Sequence, residues 1–154
     1  MILTKIRNSL IAGLCGTSVH SLLALVHGKT GPLPEFQPNY DIQRGLSWLI
    51  GTEISPSVAW LLEFVNGAVI WGFVFGQSYR LLPGKSPWQK GVFFGVCAWA
   101  AIGLVFFPLV DRGIFAVRLG LGIAPAILLL VMLLAYSVTM SIVYHLLNSW
   151  SDPA

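Results

Sequence analysis

The sequence predicts an all-α integral membrane protein, folded as one antiparallel four-helix bundle over residues 1–154. Hydrophobic residues make up 56% of the chain and charged residues only 10%, whereas soluble domains carry about 25% charged residues. Four apolar segments are longer than the about 20 residues that a helix needs to cross a bilayer. Runs such as AILLLVMLLAY lack the alternation of membrane β-strands, which favours helices over a barrel.

The first helix is predicted to be an uncleaved membrane span. Basic residues precede an apolar run, as in a signal peptide, but the run is too long and no cleavage site ends it. The LLPGKSPW stretch predicts a tight hairpin, and VDRGIFAVRLG a second short connection. The long loop at 28–56 is rich in Pro and Gly, and its IQRGLSWLI portion predicts a short interfacial helix with Trp48 at the headgroups. The predicted helices cover residues 6–27, 57–82, 88–110 and 120–147.

Basic residues near the helix ends predict the orientation. The helix ends and loops on one side of the predicted bundle are basic, while the basic residues on the other side are mixed with acidic ones. Because cytoplasmic loops are enriched in Lys and Arg, we expect both termini in the cytoplasm of a bacterial inner membrane and loop 28–56 in the periplasm. The partners implied are membrane lipids, and no nucleic-acid partner is expected because the cations form no single stripe. The predicted headgroup anchors at the hairpin are Arg80, Lys85, Lys90 and Trp88.

Small residues four apart predict where the helices pack. Gly72 and Gly76 lie on the second predicted span, and Gly91 and Gly95 on the third. In lipid, such faces let two backbones approach closely. They predict packing within the bundle or against other integral membrane subunits.

His20 raises the question of a site, because ionisable groups inside a membrane are costly and often functional. In antiparallel first and second helices, His20 and Glu63 fall at similar depth, with Thr17 and Asn66 about one turn deeper. We therefore expect a buried polar cluster of these four residues. It has two interpretations: a hydrogen-bonded tie between helices, or a site for protons, ions, a partner, a lipid headgroup, or a quinone, pigment or haem near His20.

No catalytic motif is present in the sequence. It contains no Walker loop, HExxH pair, nucleophile elbow or carboxylate dyad. His20 and His27 are about 10 Å apart along a helix, too far to share one metal ion. The sequence therefore predicts a non-enzyme without a metal or an obligatory cofactor.

The hairpin region resembles a group of short bacterial inner-membrane proteins with four helices and no assigned function. The shared features are a GxxxWG stretch, here at Gly67, Trp71 and Gly72, the LPGxSPWxKGxxFG hairpin at 82–95, and Pro108. The resemblance covers about residues 60–144 and excludes the loop PLPEFQPNYDIQRG. It implies the four-helix fold and no particular activity.

The function expected from these patterns is that of a non-catalytic accessory or assembly subunit of a larger inner-membrane complex, respiratory or photosynthetic. The absence of catalytic motifs, the small-residue faces and the long loop favour it. The alternative is a small transporter or proton- or ion-conducting protein that uses the buried His and Glu cluster.

Overall fold

The computed structural model describes the backbone of residues 2–30 and 38–151 and the side chains of residues 3–29 and 43–150. Within these ranges the chain is helical and contains no strand. The helices are α1 (Ile2–Thr30), α2 (Pro38–Ile50), α3 (Pro56–Ser78), α4 (Pro87–Leu109) and α5 (Ala124–Ser151). All of these except α2 are long and apolar enough to cross a membrane.

The α3–α4 hairpin is longer than predicted, because α3 ends at Ser78 and not at residue 82. The backbone N–H groups of Lys85 and Ser86 both donate to Oε1 of Gln89, at 3.0 and 3.2 Å. This side chain satisfies donors ahead of the helix, and Pro87 starts α4, where its missing N–H costs nothing. The turn residues that sequence periodicity assigned to the second helix therefore belong to the connection.

The fourth long helix begins later than predicted, at Ala124 and not at residue 120. Gly120 and Gly122 have φ angles of +72° and +63°. A right-handed helix requires negative φ angles, so it cannot include these positions. The prediction included these two glycines in the span because it rested on apolar composition alone.

Two of the long helices contain a π-helical segment, in which the backbone hydrogen bonds span one residue more than in an α-helix. These segments are Asn66–Trp71 in α3 and Ile102–Phe106 in α4. Segments of this kind are rare and often occur near functional positions. The first one begins three residues after Glu63.

The predicted glycine face of α3 packs against α1. A Cβ atom on Gly72 would lie 2.8 Å from the carbonyl oxygen of Ser9 and 3.1 Å from Cα of Gly13. A Cβ atom on Gly76 would overlap the Ser9 hydroxyl. Only hydrogen fits at either position, so the two backbones approach as small residues in membranes allow.

The predicted glycine face of α4 packs against α5. A Cβ atom on Gly91 would lie 2.7 Å from Cα of Val138, and one on Gly95 would overlap the Ser137 hydroxyl. The predicted packing glycines of α3 and α4 therefore all contact other helices of this chain.

Helices α3 and α4 contact each other through aromatic rings. Phe75 and Phe94 pack edge to face with ring centroids 5.0 Å apart, and Trp71 meets Phe94 at 5.9 Å. Phe75 belongs to a buried core that also contains Ala12 and Met140. Large rings thus fill this contact, unlike the glycine contacts that join α1 to α3 and α4 to α5.

A short 3₁₀ segment, Ile114–Leu119, precedes α5 and packs onto the end of α4. Phe115 has φ +51°, a left-handed conformation that is unfavourable for a bulky residue. Its ring contacts Gly103, which has no side chain, and lies 4.4 Å from the ring of Trp99. The indole N–H of Trp99 donates to the carbonyl oxygen of Ala126 at 2.8 Å. Together these contacts fix the end of α4 to the start of α5.

Helix α2 occupies part of the long loop, where the sequence predicted a short interfacial helix. The side-chain amide of Gln43 donates to the carbonyl oxygen of Ile54, and the N–H of Ile54 donates to Oγ of Ser47 at 3.1 Å. Trp48 is 82% exposed. Its position at lipid headgroups stays a prediction, and residues 31–37 of the predicted loop lie outside the described residues.

Candidate functional site

The centre of the candidate site is a hydrogen-bonded pair, His20 on α1 and Glu63 on α3. Nδ1 of His20 lies 2.9 Å from Oε1 of Glu63, and the side chains are only 13% and 8% exposed. Ser21, the next residue on α1, donates its hydroxyl proton to the same oxygen at 3.2 Å. The sequence predicted that these two residues lie at similar depth, and in the structure their side chains are in direct contact.

Two polar atoms of this pair lack hydrogen-bond partners among the described residues. Oε2 of Glu63 is buried and makes no hydrogen bond. The ring of His20 makes its only hydrogen bond there at Nδ1, which leaves Nε2 without a partner. The pair therefore has unused hydrogen-bonding capacity at one oxygen and one nitrogen atom.

Tyr136 of α5 extends the polar cluster, with Thr17 beside it. The ring of Tyr136 lies edge to face with the His20 ring, 6.5 Å between centroids. Its hydroxyl donates to the carbonyl oxygen of Gly67 at 2.7 Å. Thr17 donates to the carbonyl oxygen of Gly13 at 2.8 Å, and its side chain fills the space where a Cβ on Gly67 would lie. Gly67 thus lets side chains from α1 and α5 reach α3.

Asn66 was expected in this cluster, but the structure does not join it to the other three residues. The buried line of α3 passes through Ala59, Glu63 and Ala68, and Asn66 lies beside that line. Its side chain is half-buried and makes no hydrogen bond within the described part of the chain. Ser21 and Tyr136 take part instead, and no spacing in the sequence distinguished them from other polar residues of the spans.

A shallow groove of about 350 Å³ lies between α1 and α3 next to this cluster. Ser21 forms part of its wall, so the groove ends at a hydroxyl that is bonded to Glu63. The rest of the wall is mostly apolar and comes from Ser18, Leu22, Leu25, Trp60 and Phe64.

An apolar layer separates the cluster from a second polar group. Ala12, Phe75 and Met140 are fully buried and pack together. Beyond this layer, the amide of Asn8 donates to Oδ1 of Asn148 at 3.1 Å. The two polar groups therefore have no side-chain hydrogen bond in common among the described residues.

The predicted headgroup anchors divide into two kinds. Arg80 and Lys85 are exposed, and Trp88 is largely exposed too. Lys90 instead donates to the carbonyl oxygen of Tyr79 at 2.7 Å, and its ammonium group lies 4.4 Å from the centre of the Tyr79 ring. This contact satisfies a carbonyl just past the end of α3 and ties α4 to it.

We therefore expect Lys90→Met to destabilise the protein by about 1 kcal/mol, because a hydrogen bond to a charged donor is lost. Thermal unfolding in detergent, followed by circular dichroism, measures the change. Lys85→Met is the matched control, since it removes an exposed charge from the same hairpin. Equal effects of the two substitutions would show that the Tyr79 contact adds nothing to stability.

Comparison with known proteins gives a family but no described relative. No curated protein and no solved structure matches the chain. Among the described residues, no group of three or more His, Cys, Asp or Glu side chains is placed to hold a metal ion. The model of a family of unknown function, DUF6789, matches residues 3–154, so the chain belongs to that family.

Proposed function

We propose that this protein is a non-catalytic accessory or assembly subunit of a larger membrane complex, in the bacterial inner membrane and of the respiratory or photosynthetic kind. The bacterial setting rests on the resemblance of the hairpin sequence. The subunit role rests on Asn66, a polar side chain near the middle of a helix long and apolar enough to span a membrane.

The contacts between helices support an antiparallel bundle for this subunit. Thr17 of α1 meets Gly67 of α3, and Ser9 meets Gly76, so rising numbers in α3 pair with falling numbers in α1. The same reversal relates α4 to α5. The cations at the α3–α4 hairpin favour a cytoplasmic position for that end, and with it for both termini.

Asn66 carries the proposal because its amide makes no hydrogen bond within the described part of the chain. An amide in hydrocarbon without a hydrogen bond costs several kcal/mol, on the order of 4–8 in the extreme case. Polar side chains in membrane spans bond across to other helices for this reason. Val69, Ile70 and Phe73, which follow Asn66 on α3, are exposed. An apolar surface with one central amide fits a helix of another subunit that offers a polar group at the same depth.

Asn66→Leu is expected to dissociate the complex while the isolated chain stays folded. The leucine side chain suits lipid but cannot bond to the partner helix, and we expect at least about tenfold weaker association. The measurement is native mass spectrometry of tagged protein purified in mild detergent, which gives the identity and stoichiometry of the partner.

Ser18→Ala is the matched control for this experiment. Ser18 is another polar residue on a long helix, but its hydroxyl already bonds to the carbonyl oxygen of Leu14 at 2.9 Å. The complex should survive this substitution. A wild-type chain that purifies without any stoichiometric partner, or a complex that Asn66→Leu leaves intact, would refute the proposal.

The alternative function, transport or ion conduction, would need a polar path through the helices. The layer of Ala12, Phe75 and Met140 between the two polar groups does not favour an open path. Flux into liposomes that Glu63→Gln abolishes would favour the alternative over the subunit role.

A further inference from the structure

We propose that a groove beside the α3–α4 hairpin binds one anionic phospholipid, with the phosphate at the hairpin and an acyl chain along α4. This hairpin groove has a volume of about 390 Å³ and begins at Pro83 and Gly84. It continues along one side of α4, from Trp88 to Val96. Asn66 lies on α3 and outside this lining, so the proposal does not depend on the subunit role.

The wall of the hairpin groove changes from polar to apolar along α4. Gln89 lies at the hairpin end, whereas Val92, Phe93 and Val96 form the deeper part. Residues 88 to 96 extend over about 12 Å, at about 1.5 Å per residue. Trp88 at the hairpin end is a residue type that is enriched where lipid headgroups lie. Because α4 is long and apolar enough to span a membrane, a headgroup at the hairpin and an acyl chain below it fit this wall.

Gln89 supplies a hydrogen-bond donor in the hairpin groove itself. Its Oε1 accepts from the backbone N–H groups of Lys85 and Ser86, at 3.0 and 3.2 Å. These two bonds orient the amide, and its N–H₂ group makes no hydrogen bond within the described part of the chain. A Cβ atom on Gly84 would lie 2.7 Å from Cβ of Gln89, so the hairpin lies directly against this side chain. An amide N–H₂ group donates, and its complement is an acceptor such as a phosphate oxygen.

The charge around the hairpin groove favours an anionic headgroup. Lys85 follows Gly84 of the lining and has an exposed side chain, and Arg80 is exposed in the same hairpin. Between Glu63 and Asp111 the sequence contains no acidic residue, and the start of α4 adds the partial positive charge of a helix dipole. A headgroup with a net negative charge therefore fits here. Phosphatidylcholine is less suitable, because its own choline cation offsets the phosphate.

The test measures lipid binding to the full chain by native mass spectrometry. The protein is purified in mild detergent, freed of co-purified lipid, and titrated with phosphatidylglycerol or with phosphatidylcholine of the same acyl chains. We expect one tightly bound phosphatidylglycerol per chain and at least about tenfold weaker binding of phosphatidylcholine. Glycerol phosphate, which lacks acyl chains, should bind much more weakly than either lipid. Equal binding of the two lipids, or glycerol phosphate binding as tightly as phosphatidylglycerol, would overturn the proposal.

Gln89→Glu provides a readout that a purely structural role would not change. A carboxylate oxygen still accepts from the N–H groups of Lys85 and Ser86, but the N–H₂ donor becomes a negatively charged oxygen atom. We expect the preference for phosphatidylglycerol to be lost. Arg44→Gln is the matched control, because it changes the net charge by the same amount at an exposed residue of α2, outside the hairpin groove. A preference that survives Gln89→Glu, or that Arg44→Gln abolishes equally, would show that the hairpin groove does not hold the headgroup.

Discussion

Replacing Gly72 by leucine is expected to destabilise the protein by about 3 kcal/mol, near the upper end of the usual cost of overpacking. Even a single Cβ atom there would lie 2.8 Å from the carbonyl oxygen of Ser9 and 3.1 Å from Cα of Gly13. These are backbone atoms, which cannot rotate away as the end of a long side chain can. The helices α1 and α3 must separate to admit the new side chain, and the close contact between them is lost.

Reversible unfolding in mixed detergent and sodium dodecyl sulfate measures this loss. Val69→Leu is the matched control, because Val69 lies on the exposed side of the same helix. In the isolated protein the larger side chain there meets detergent, and we expect a change below about 0.5 kcal/mol. If Gly72→Leu is as stable as Val69→Leu, the close approach of α1 and α3 is not a feature of the protein in a membrane.

The second large effect is expected from His20→Ala, at about 3 kcal/mol. This substitution leaves the buried Glu63 side chain with one hydrogen bond, from Ser21, and without the His20 ring beside it. The reverse substitution, Glu63→Ala, leaves a neutral imidazole and removes the unpaired Oε2, so it should cost less. The unequal effects follow because an unpaired buried charge is more costly than an unpaired neutral ring.

A double-mutant cycle measures the interaction energy between His20 and Glu63 separately from the other effects of each substitution. We expect the double variant to be more stable than the sum of the single variants predicts, by about 1–2 kcal/mol. Ser18→Ala combined with Glu63→Ala should be additive, because the Ser18 hydroxyl bonds only within its own helix. A cost of about 0.6 kcal/mol for His20→Ala, the average for hydrogen bonds inside a membrane protein, would show that the pair acts as an ordinary hydrogen bond and not as a buried ion pair.

Sequence reasoning could find His20 and Glu63 because depth along a helix follows directly from residue number. Each residue adds about 1.5 Å, so two residues at matching distances from their helix ends fall at the same level. Rotation about the helix axis is a separate quantity, and it depends on packing. This is why the sequence-based prediction included Asn66, which makes no hydrogen bond with the cluster, and did not include Tyr136.

The predicted helix ends were least accurate where local chemistry opposes composition. The sequence placed Gly120 and Gly122 in an apolar span, but their positive φ angles place them before α5. Local chemistry also decides the role of Lys90, which was predicted to be one of several headgroup anchors, yet its ammonium group reaches the carbonyl oxygen of Tyr79. In both cases the deciding factor is a backbone conformation or a backbone acceptor, which residue type alone does not reveal.

The uneven contacts of the long helices have a consequence for biosynthesis. Helix α1 packs closely against α3, so these two can associate as soon as the ribosome has released them into the bilayer. Helix α4 makes its close glycine contacts with α5, which is synthesised last. A newly inserted α4 therefore waits in the lipid for its main neighbour. Truncation before α5 should leave a chain that the quality-control proteases of the membrane recognise.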